Sequence, residues 1–320
     1  MNLNALRVFY TVAKLQSFSG AAETLFISQP AVSKALKELE HQLSLKLIER
    51  ATKGRKLALT EGGVALYEHA RNIFAIEKTA IDDIKSRTGL KRGTIVIGTS
   101  TTIASYWLPP YLARFCSAYP NIKVEVKVEN TEKIEHALLE CSIDLALVEG
   151  TPTEKKIVPT HWQDDLMSVV IPPHFKPSHN LNEWLSQQFW LLREPGSGTR
   201  EMSVKMLEKQ GIKVSNSMQL GSNEAIARSV AQGMGIAILP NVVTEDLVQL
   251  KKLKRLSQVK GGMLSRPLYQ LHCRGRSSSH SAEALKKNFI FRSLASSASA
   301  SLVSSLLLVH SNHFRRLGIF

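Results

Sequence analysis

The residues best suited to chemistry near the start of this sequence lie between positions 28 and 37. At 100° per residue, Ser33, Lys34 and Lys37 fall on one side of a predicted helix, opposite its apolar residues. Such side chains can meet base edges and phosphates in a DNA major groove, although a solvated helix face would have the same composition. The candidate contact residues are Ser28, Gln29, Pro30, Ser33, Lys34 and Lys37.

Three helices are predicted to position that face. Residues 3–15 repeat apolar residues at three- and four-residue steps, and Ser17 or Ser19 can cap a second helix. A proline inside a helix costs about 3 kcal/mol, but Pro30 falls in the first turn of a helix capped by Ser28, where its missing N–H breaks no helical bond. The buried stripe predicted for this third helix consists of Val32, Leu36, Leu39 and Leu43.

Residues 46–60 predict a β-hairpin, because two short strand-like runs flank a Lys53-Gly54-Arg55 turn. Helix, turn, helix and basic hairpin together predict a winged helix-turn-helix, mainly α, over residues 1–59. The hairpin cations would lie along a phosphate backbone beside the groove, so this order favours the DNA-reading interpretation of the helix face. The cations at or near the hairpin tip are Arg50, Lys53, Arg55 and Lys56.

Charge is distributed unevenly along the chain, whose net charge is +14. Residues 1–92 carry +6, residues 93–250 carry −4 and residues 251–320 carry +12. A basic N-terminal segment suits a polyanionic partner such as DNA, although basic surfaces often bind nothing.

A linker helix is predicted over residues 60–89, capped by Thr60 and stopped by Gly89. Apolar residues recur along it at seven-residue steps, with others between. This pattern suits a dimerising seam, and a packed surface helix is the alternative. The seam residues are Leu66, Ala70, Ile73, Ala80 and Ile84.

From residue 90 to about 290 the sequence predicts an α/β domain with a largely parallel sheet, because strand-like runs alternate with helices. A helix over 101–118 has Pro109-Pro110 near its start or in a break, and another runs from Asn130 or Thr131 through Cys141. We expect two lobes, about 93–163 plus 267–290 and about 164–266. The predicted strands are 94–97, 123–128, 144–148, 166–171 and 236–240.

Three junctions between predicted strands and helices carry polar groups suited to a ligand. Helix N-termini with small residues bind anions, and open α/β sheets bind ligands at the carboxyl ends of their strands. Such turns occur in any α/β protein, so their specificity is modest. The candidate ligand-binding residues are Ser100, Thr101 and Thr102, then Glu149, then Gly196, Ser197, Gly198, Thr199 and Arg200.

Motifs for catalysis and metal binding are missing from the sequence. The loop PGSGTR lacks the GK[ST] of a phosphate-binding loop, and its Gly-Ser-Gly is not a nucleophile elbow. None of the ten histidines forms HExxH, and the three cysteines have no zinc spacing. We therefore predict no enzyme activity, no metal and no cofactor.

Residues 18–50, FSGAAETLFISQPAVSKALKELEHQLSLKLIER, resemble the DNA-binding region of LysR-type transcriptional regulators. The resemblance extends over about residues 1–290 and implies a winged helix-turn-helix, a linker helix and a two-lobed effector domain similar to type 2 periplasmic binding proteins. The segments GTIVIGTSTTIASYWLPPYLARF, SIDLALVEG, LREPGSGTRE and GMGIAILP are similar to the branch that regulates sulfite reduction and cysteine biosynthesis. Regulators of carbon fixation are close neighbours.

The resemblance also implies site residues and partners. It implies that residues 28–37 form the recognition helix and that Ser100 to Thr102, Thr131 and Thr199 contact an effector. The implied partners are double-stranded promoter DNA, a small effector and a second copy of the chain, as a homodimer or homotetramer, with RNA polymerase as a further candidate. We expect a cytoplasmic protein without membrane contact, because the N-terminus has no signal-peptide pattern.

Residues 291–320 depart from the family pattern. Residues 294–309 are apolar and Ser-rich but number only 16, whereas a membrane span needs about 20 mostly apolar residues. A loosely packed tail, an added interface helix and an altered reading frame all stay open. The competing functions for the whole chain are a solute-binding protein and an α/β enzyme with a DNA-binding appendage.

Overall fold

The computed structural model describes residues 2–49, 57–85, 93–256, 264–276 and 278–297, and the chain divides into two units between Ile81 and Asp82. The predicted wing cations Arg50, Lys53 and Arg55 lie outside the described residues. The helices that begin in the first unit are α1 (Leu3–Leu15), α2 (Phe18–Leu25), α3 (Gln29–Leu43) and α4 (Glu61–Lys85).

The start of α3 follows the sequence prediction. The Ser28 hydroxyl accepts a hydrogen bond from the Ala31 N–H at 3.4 Å, and Pro30 is the second helical residue. Ser17 caps α2 in the same way, through the Gly20 N–H at 3.0 Å. Side-chain caps satisfy amides that have no intrahelical acceptor, so local sequence alone sets both helix starts.

The core of the first unit matches the predicted stripes except at their ends. Val32, Leu36 and Leu39 are buried in α3, whereas Leu43 is 37% exposed and Leu3 of α1 is 58% exposed. The prediction was therefore wrong for Leu43. Leu3 and Leu43 each lie in a terminal turn of their helix.

One buried carboxylate ties the hairpin stem to α3. The side chain of Glu40 accepts hydrogen bonds from the N–H groups of Leu47 at 2.9 Å and Ile48 at 3.4 Å, and from the Lys46 ammonium at 2.9 Å. Ile48 then pairs with Leu59 in an antiparallel bridge, as expected for the stem of the predicted hairpin, whose turn lies outside the described residues. Burial works to raise the pKa of Glu40, but these hydrogen bonds outweigh it and the net pKa is lowered.

The predicted seam of α4 is covered along its first half. Leu66, Ala70 and Ile73 pack with the core residues of the winged module, so these three do not form a free seam. Ile76 and Ile84 are 60% and 62% exposed farther along the helix. The apolar stripe therefore continues past the module that covers its beginning.

The second unit alternates strands and helices along the chain, as predicted. Its strands are β1 (Gly93–Thr99), β2 (Ile122–Val128), β3 (Leu145–Glu149), β4 (Ile157–Ile171), β5 (Phe189–Arg193), β6 (Asn216–Leu220), β7 (Ala237–Pro240), β8 (Lys254–Arg255) and β9 (Leu264–Cys273). Its helices are α5 (Pro109–Ala118), α6 (Thr131–Leu139), α7 (Leu181–Ser186), α8 (Gly198–Lys209), α9 (Asn223–Ala231), α10 (Asn241–Gln249) and α11 (His280–Ser297).

The sheet is mixed and not largely parallel. In this sheet β1 pairs parallel with β2 and β3, while β5 and β6 form a separate parallel pair. Strands β4 and β9, however, run antiparallel to each other from residue 157 to residue 167 of β4 and join the two lobes. The sequence prediction began β4 only at Leu166, because its first half has no regular alternation of apolar residues.

The structure settles two predicted helices. The helix predicted over 101–118 has the break that was one of its alternatives, with a π-helical turn over Ile103–Trp107 before α5 begins at Pro109. Helix α6 was predicted through Cys141 but ends at Leu139, two residues before Cys141 adopts a left-handed conformation. In β2, Val126 and Val128 are 37% and 43% exposed, because β2 is an edge strand of the sheet. No helix among the described residues is long and apolar enough to cross a bilayer.

Replacing Glu40 with Gln should destabilise the winged module by about 1–3 kcal/mol, because a neutral amide is a poorer acceptor for these donors and brings its own N–H groups into a buried site. Since the folded-state pKa of Glu40 is lowered, its contribution is present above the unfolded pKa and is lost as pH falls through the folded pKa. Amide hydrogen exchange at Leu47 and Ile48 measures the loss.

The control for this experiment is Glu38→Gln on the same helix. The Glu38 side chain is 60% exposed, and its Oε1 atom makes just a weak contact, at 3.9 Å, with the Lys34 ammonium. Its cost should stay within about 0.5 kcal/mol. Equal protection of both amides in the two variants would contradict the anchoring role of Glu40.

Candidate functional site

The candidate nucleic-acid face of α3 points away from the core of the winged module. Ser28, Gln29 and Pro30 are exposed at its N-terminal end, and Lys37 is exposed about two turns farther on. The Lys34 side chain is 81% exposed and 3.9 Å from Glu38, a weak pairing that leaves its ammonium group open to another anion. Ser33 is half-buried beside them. The capped helix start and the buried stripe together hold these side chains on one face.

In the second unit, the turn after β1 brings Ser100 to Glu149. The Ser100 hydroxyl accepts a hydrogen bond from the Ile103 N–H at 3.1 Å and donates to Glu149 Oε1 at 2.7 Å. Ser100 is 3% exposed and Glu149 is 2% exposed. Both residues were predicted to bind a ligand, but each is engaged with the other inside the protein.

A hydrogen bond between Thr131 of the first lobe and Gly198 of the second lobe joins the two lobes. The Thr131 hydroxyl donates to the Glu149 carbonyl oxygen at 3.3 Å and accepts from the Gly198 N–H at 3.3 Å. A Cβ at position 198 would lie 2.3 Å from that same carbonyl oxygen. Glycine is therefore required at position 198 because the backbones of β3 and α8 approach too closely for a side chain.

The centre of the site is Arg266, which is fully buried. Its Nε and Nη2 atoms donate to Asp165 Oδ2 at 3.0 and 2.7 Å, and Nη1 donates to the Thr199 hydroxyl at 2.8 Å. Glu149 Oε1 lies 3.5 Å from Nη2. One guanidinium is thus shared by two buried carboxylates.

The electrostatics of this group decide what it can bind. Burial raises the pKa of the Asp165 carboxyl, the positive charge of Arg266 opposes the rise, and the negative charge of Glu149 adds to it. Arg266 is therefore already neutralised within the protein. A ligand at this site has to be held mainly by hydroxyl and backbone N–H donors.

Asn223 bridges the lobes a second time. Its side-chain amide donates to the Thr102 hydroxyl at 2.8 Å and to the Thr199 hydroxyl at 3.1 Å. Thr102 follows β1 in the first lobe, while Thr199 and Asn223 begin helices of the second lobe. Asn223 is fully buried, so the amide fixes how these helix starts face each other.

Thr101 differs from Ser100 and Thr102, whose hydroxyl groups are hydrogen-bonded within the protein. Among the residues that the structure describes, the buried Thr101 Oγ1 atom has no hydrogen-bond partner. Buried hydroxyl groups are normally paired, so an unpaired one at a helix start marks a position where a bound molecule would complete the pairing. Thr101 is the predicted residue whose side chain is best placed to contact a ligand.

The remaining predicted residues have structural partners. The Arg200 guanidinium donates to the Arg193 carbonyl oxygen at 2.7 Å, and so lies along β5. Gly196 adopts φ +80°, and a Cβ there would lie 2.3 Å from Glu132 Oε2. Ser197 is 5% exposed at the start of α8. The structure thus brings all three predicted junctions together, but it uses most of their side chains for internal contacts.

Sequence reasoning missed Arg266, Asp165 and Asn223. Arg266 lies 101 residues from Asp165, and no local motif surrounds either residue. A signal for Asn223 was available in the sequence. Ser222 precedes and caps α9, just as Ser100 and Ser197 each precede a helical segment. Asn223 therefore follows the same strand-to-helix pattern that identified the other three junctions.

Comparisons with known proteins agree along most of the chain. Residues 3–64 match the family of bacterial regulatory helix-turn-helix proteins, lysR family, and residues 88–289 match the LysR substrate binding domain. The chain is 34% identical over 289 residues to the HTH-type transcriptional regulator YeiE of Escherichia coli (strain K12), covering 90% of this chain and 95% of that protein. It is 30% identical over 253 residues to the HTH-type transcriptional regulator CysL of Bacillus subtilis (strain 168), covering 78% and 84%.

A solved structure resembles the second unit. The regulatory domain of CcmR from Synechocystis PCC6803, in complex with 2-PG, matches with a TM-score of 0.55 and 26% sequence identity. The match covers 62% of this chain and 96% of that one.

The two threonines should respond differently to removal of the hydroxyl group. Thr199→Val should cost about 1–3 kcal/mol, because the donors of Arg266 and Asn223 lose their acceptor in a buried site. Thr101→Val should be close to neutral, because its hydroxyl pairs with nothing among the described residues. All four tryptophans lie between residues 107 and 190, so urea unfolding followed by tryptophan fluorescence reports on this unit. A comparable loss in both variants would contradict the distinction.

Proposed function

Because this chain belongs to the LysR family of transcriptional regulators, which bind DNA and small-molecule effectors, we propose that it reads promoter DNA with α3 and responds to a small anionic metabolite between its two α/β lobes. The chain is a regulator and not an enzyme, as the names of its relatives agree. The observation that carries the proposed effector site is the buried, unpaired hydroxyl of Thr101.

The exposed face of α3 supports the proposed DNA contacts. Gln29 and Ser33 offer groups that can hydrogen-bond to base edges, and Lys34 and Lys37 offer charges to phosphates. The helix start is preorganised by Ser28 and Pro30, so no ordering of α3 is required when DNA binds. Arg50, Lys53 and Arg55 are proposed to contact the backbone from the wing.

The effector is proposed to be small and anionic for two reasons. The first turns after β1 and at the start of α8 present backbone N–H groups at helix N-termini, which favour negative charge. Burial and the negative charge of Glu149 raise the pKa of the Asp165 carboxyl against the opposing charge of Arg266, so a further negative charge nearby would favour its protonation. Thr101 would donate its hydroxyl proton to the bound anion.

Ligand binding would act through the lobes. Ser100 to Thr102 belong to the first lobe and Thr199 to the second, so a bound anion would contact both. A ligand changes a conformational equilibrium only by its difference in affinity for the two states. We propose that the effector favours one lobe arrangement and thereby alters how the DNA is held.

We propose more specifically that the chain controls sulfur metabolism and that its effector is a small sulfur oxyanion. It is supported by the similarity to CysL and by the sequence segments that resemble the sulfite-reduction branch. The complex of CcmR with 2-PG supports an organic anion as the alternative.

Assembly is proposed to use the uncovered part of α4. Ile76 and Ile84 are exposed on the apolar stripe whose beginning packs on the winged module. A dimer would place two copies of α3 on two half-sites about one helical turn of DNA apart. We further propose a homodimer or homotetramer acting in the cytoplasm, with RNA polymerase as a partner at the promoter.

Replacing Lys34 or Lys37 with Ala should weaken DNA binding and lower the salt-dependence slope by about 0.9 per lost phosphate contact. The measurement is the dissociation constant for promoter DNA at several salt concentrations. Lys209→Ala, on the last turn of α8, is the control and should leave both quantities unchanged. Unaltered affinity and slope in both α3 variants would contradict the assigned face.

Effector binding should raise the thermal stability of the full chain. A ligand at 100 times its dissociation constant stabilises by about 2.7 kcal/mol. We expect sulfite, sulfate or 2-PG to produce this shift in the native chain, and Thr101→Val to lose it while DNA binding stays intact. If the variant kept the full shift, Thr101 would lie outside the effector site.

A further inference from the structure

The turn between α2 and α3 holds an aromatic residue in an unfavourable backbone conformation. Phe26 follows α2 with φ 55° and ψ 40°, in the left-handed region. Steric contact between Cβ and the following carbonyl oxygen disfavours this region for L residues, so Gly or Asn commonly occupies it at a helix end. Helices α1 and α3 also end in left-handed residues, but these are the polar Gln16 and Ser44. A bulky aromatic residue is therefore the exception among these three helix ends.

The side chain of Phe26 lies almost wholly outside the core. Phe26 is 94% exposed, and the adjacent Ile27 is 40% exposed. The turn itself is closed by backbone hydrogen bonds. The Phe26 N–H donates to the Glu23 carbonyl oxygen at 3.2 Å, and the Ile27 N–H donates to that of Ala22 at 3.1 Å. Asn or Gly at position 26 would keep these bonds and would remove both the unfavourable conformation and the exposed apolar surface.

Phe26 adjoins the face of α3 that is proposed to contact DNA. Ser28, the cap of α3, is two residues away. Consecutive Cα atoms are about 3.8 Å apart, so the Cα atoms of Phe26 and Ser28 are separated by at most about 8 Å. Between residues 17 and 37 the chain has two cations, Lys34 and Lys37, and one acid, Glu23. An exposed apolar ring therefore lies close to a surface with a net positive charge.

Duplex DNA offers a partner for both features. Its phosphates pair with lysines, and the C5-methyl group of thymine is an apolar group in the major groove that a Phe ring can contact. Unfavourable backbone conformations that the fold does not require occur mainly at functional sites. We infer that Phe26 is a DNA-contacting residue whose ring packs against a thymine methyl group beside the bases met by α3. This inference rests on the proposed DNA-reading function of α3.

The contact adds base selectivity of a kind that the polar residues of α3 do not supply. Gln29 and Ser33 can hydrogen-bond to base edges, whereas an apolar ring favours the base that carries a methyl group. A contact of this type neutralises no phosphate and releases no counterion. It therefore contributes to affinity without contributing to its salt dependence.

The test uses the full-length chain and the duplex that it enriches from a library of randomised duplexes. Phe26→Asn should weaken binding to that duplex about tenfold and leave the salt-dependence slope unchanged. Amide hydrogen-exchange protection across α2 and α3 should be equal or higher in this variant, because Asn tolerates the left-handed conformation. A purely structural role of Phe26 predicts the opposite, a loss of protection together with the loss of affinity. The matched control is Leu3→Asn, which removes a side chain that is 58% exposed elsewhere in the first unit and should leave the affinity unchanged.

The thymine contact is isolated by replacing the thymines of the enriched duplex with uracil, one position at a time, which removes only a methyl group. At one position the native chain should lose about fourfold in affinity, as expected for one buried methyl-sized group, and Phe26→Asn should lose nothing there. The inference is overturned if every position gives the native chain and the variant the same loss, or if Phe26→Asn binds as tightly as the native chain.

The comparison with Lys34→Ala separates this inference from the proposed function. If Lys34→Ala weakens binding and Phe26→Asn does not, α3 reads DNA without Phe26, and the exposed ring faces a protein partner instead. If the native chain enriches no duplex at all, the proposed DNA-reading function fails and this inference fails with it.

Discussion

The effector domain depends on one buried guanidinium. Arg266 has no exposed surface, and such a charge is tolerated only with partners, since losing one partner of a buried ion pair costs about 3–5 kcal/mol. Its partners are Asp165 on the neighbouring strand, Glu149 at the end of β3 and Thr199 at the start of α8. These elements come from both lobes, so satisfying one side chain fixes how the lobes meet.

This requirement shapes what the proposed effector site offers. Ser100, Thr102, Thr131 and Thr199 are polar residues at helix starts, but each is already bonded within the protein. Thr101 stands apart because its buried hydroxyl is unpaired among the described residues. A site of this type is rigid before the ligand arrives, and its selectivity rests on a few donors at fixed positions.

In the winged module, too, one buried charged side chain joins separate elements. Glu40 is 8% exposed, and its carboxylate gathers two backbone N–H groups and one ammonium from the start of the hairpin. Since Glu40 belongs to α3, the carboxylate joins α3 to the first residues of the hairpin stem. The two elements proposed to contact DNA are therefore oriented by one charged group that contacts no DNA.

Local chemistry in the sequence was sufficient for the described helices of the first unit. Ser28 and Pro30 set the start of α3 and apolar spacing set most of its buried face, because caps and helical periodicity involve residues only a few positions apart. The alternation of strands and helices likewise identified an α/β domain, and its three glycine- and hydroxyl-rich turns come together where the ligand site is proposed.

Tertiary structure alone decided which side chains in that site are free. Asp165 and Arg266 meet across 101 residues, and Asn223 reaches Thr102 across 121. No periodicity or motif connects positions so far apart, since their contact depends on the antiparallel crossing of β4 and β9 and on the facing of two helix starts. The sequence could name hydroxyl groups suited to a ligand, but only packing determined that Thr199 bonds Arg266 while Thr101 keeps its hydroxyl for another partner.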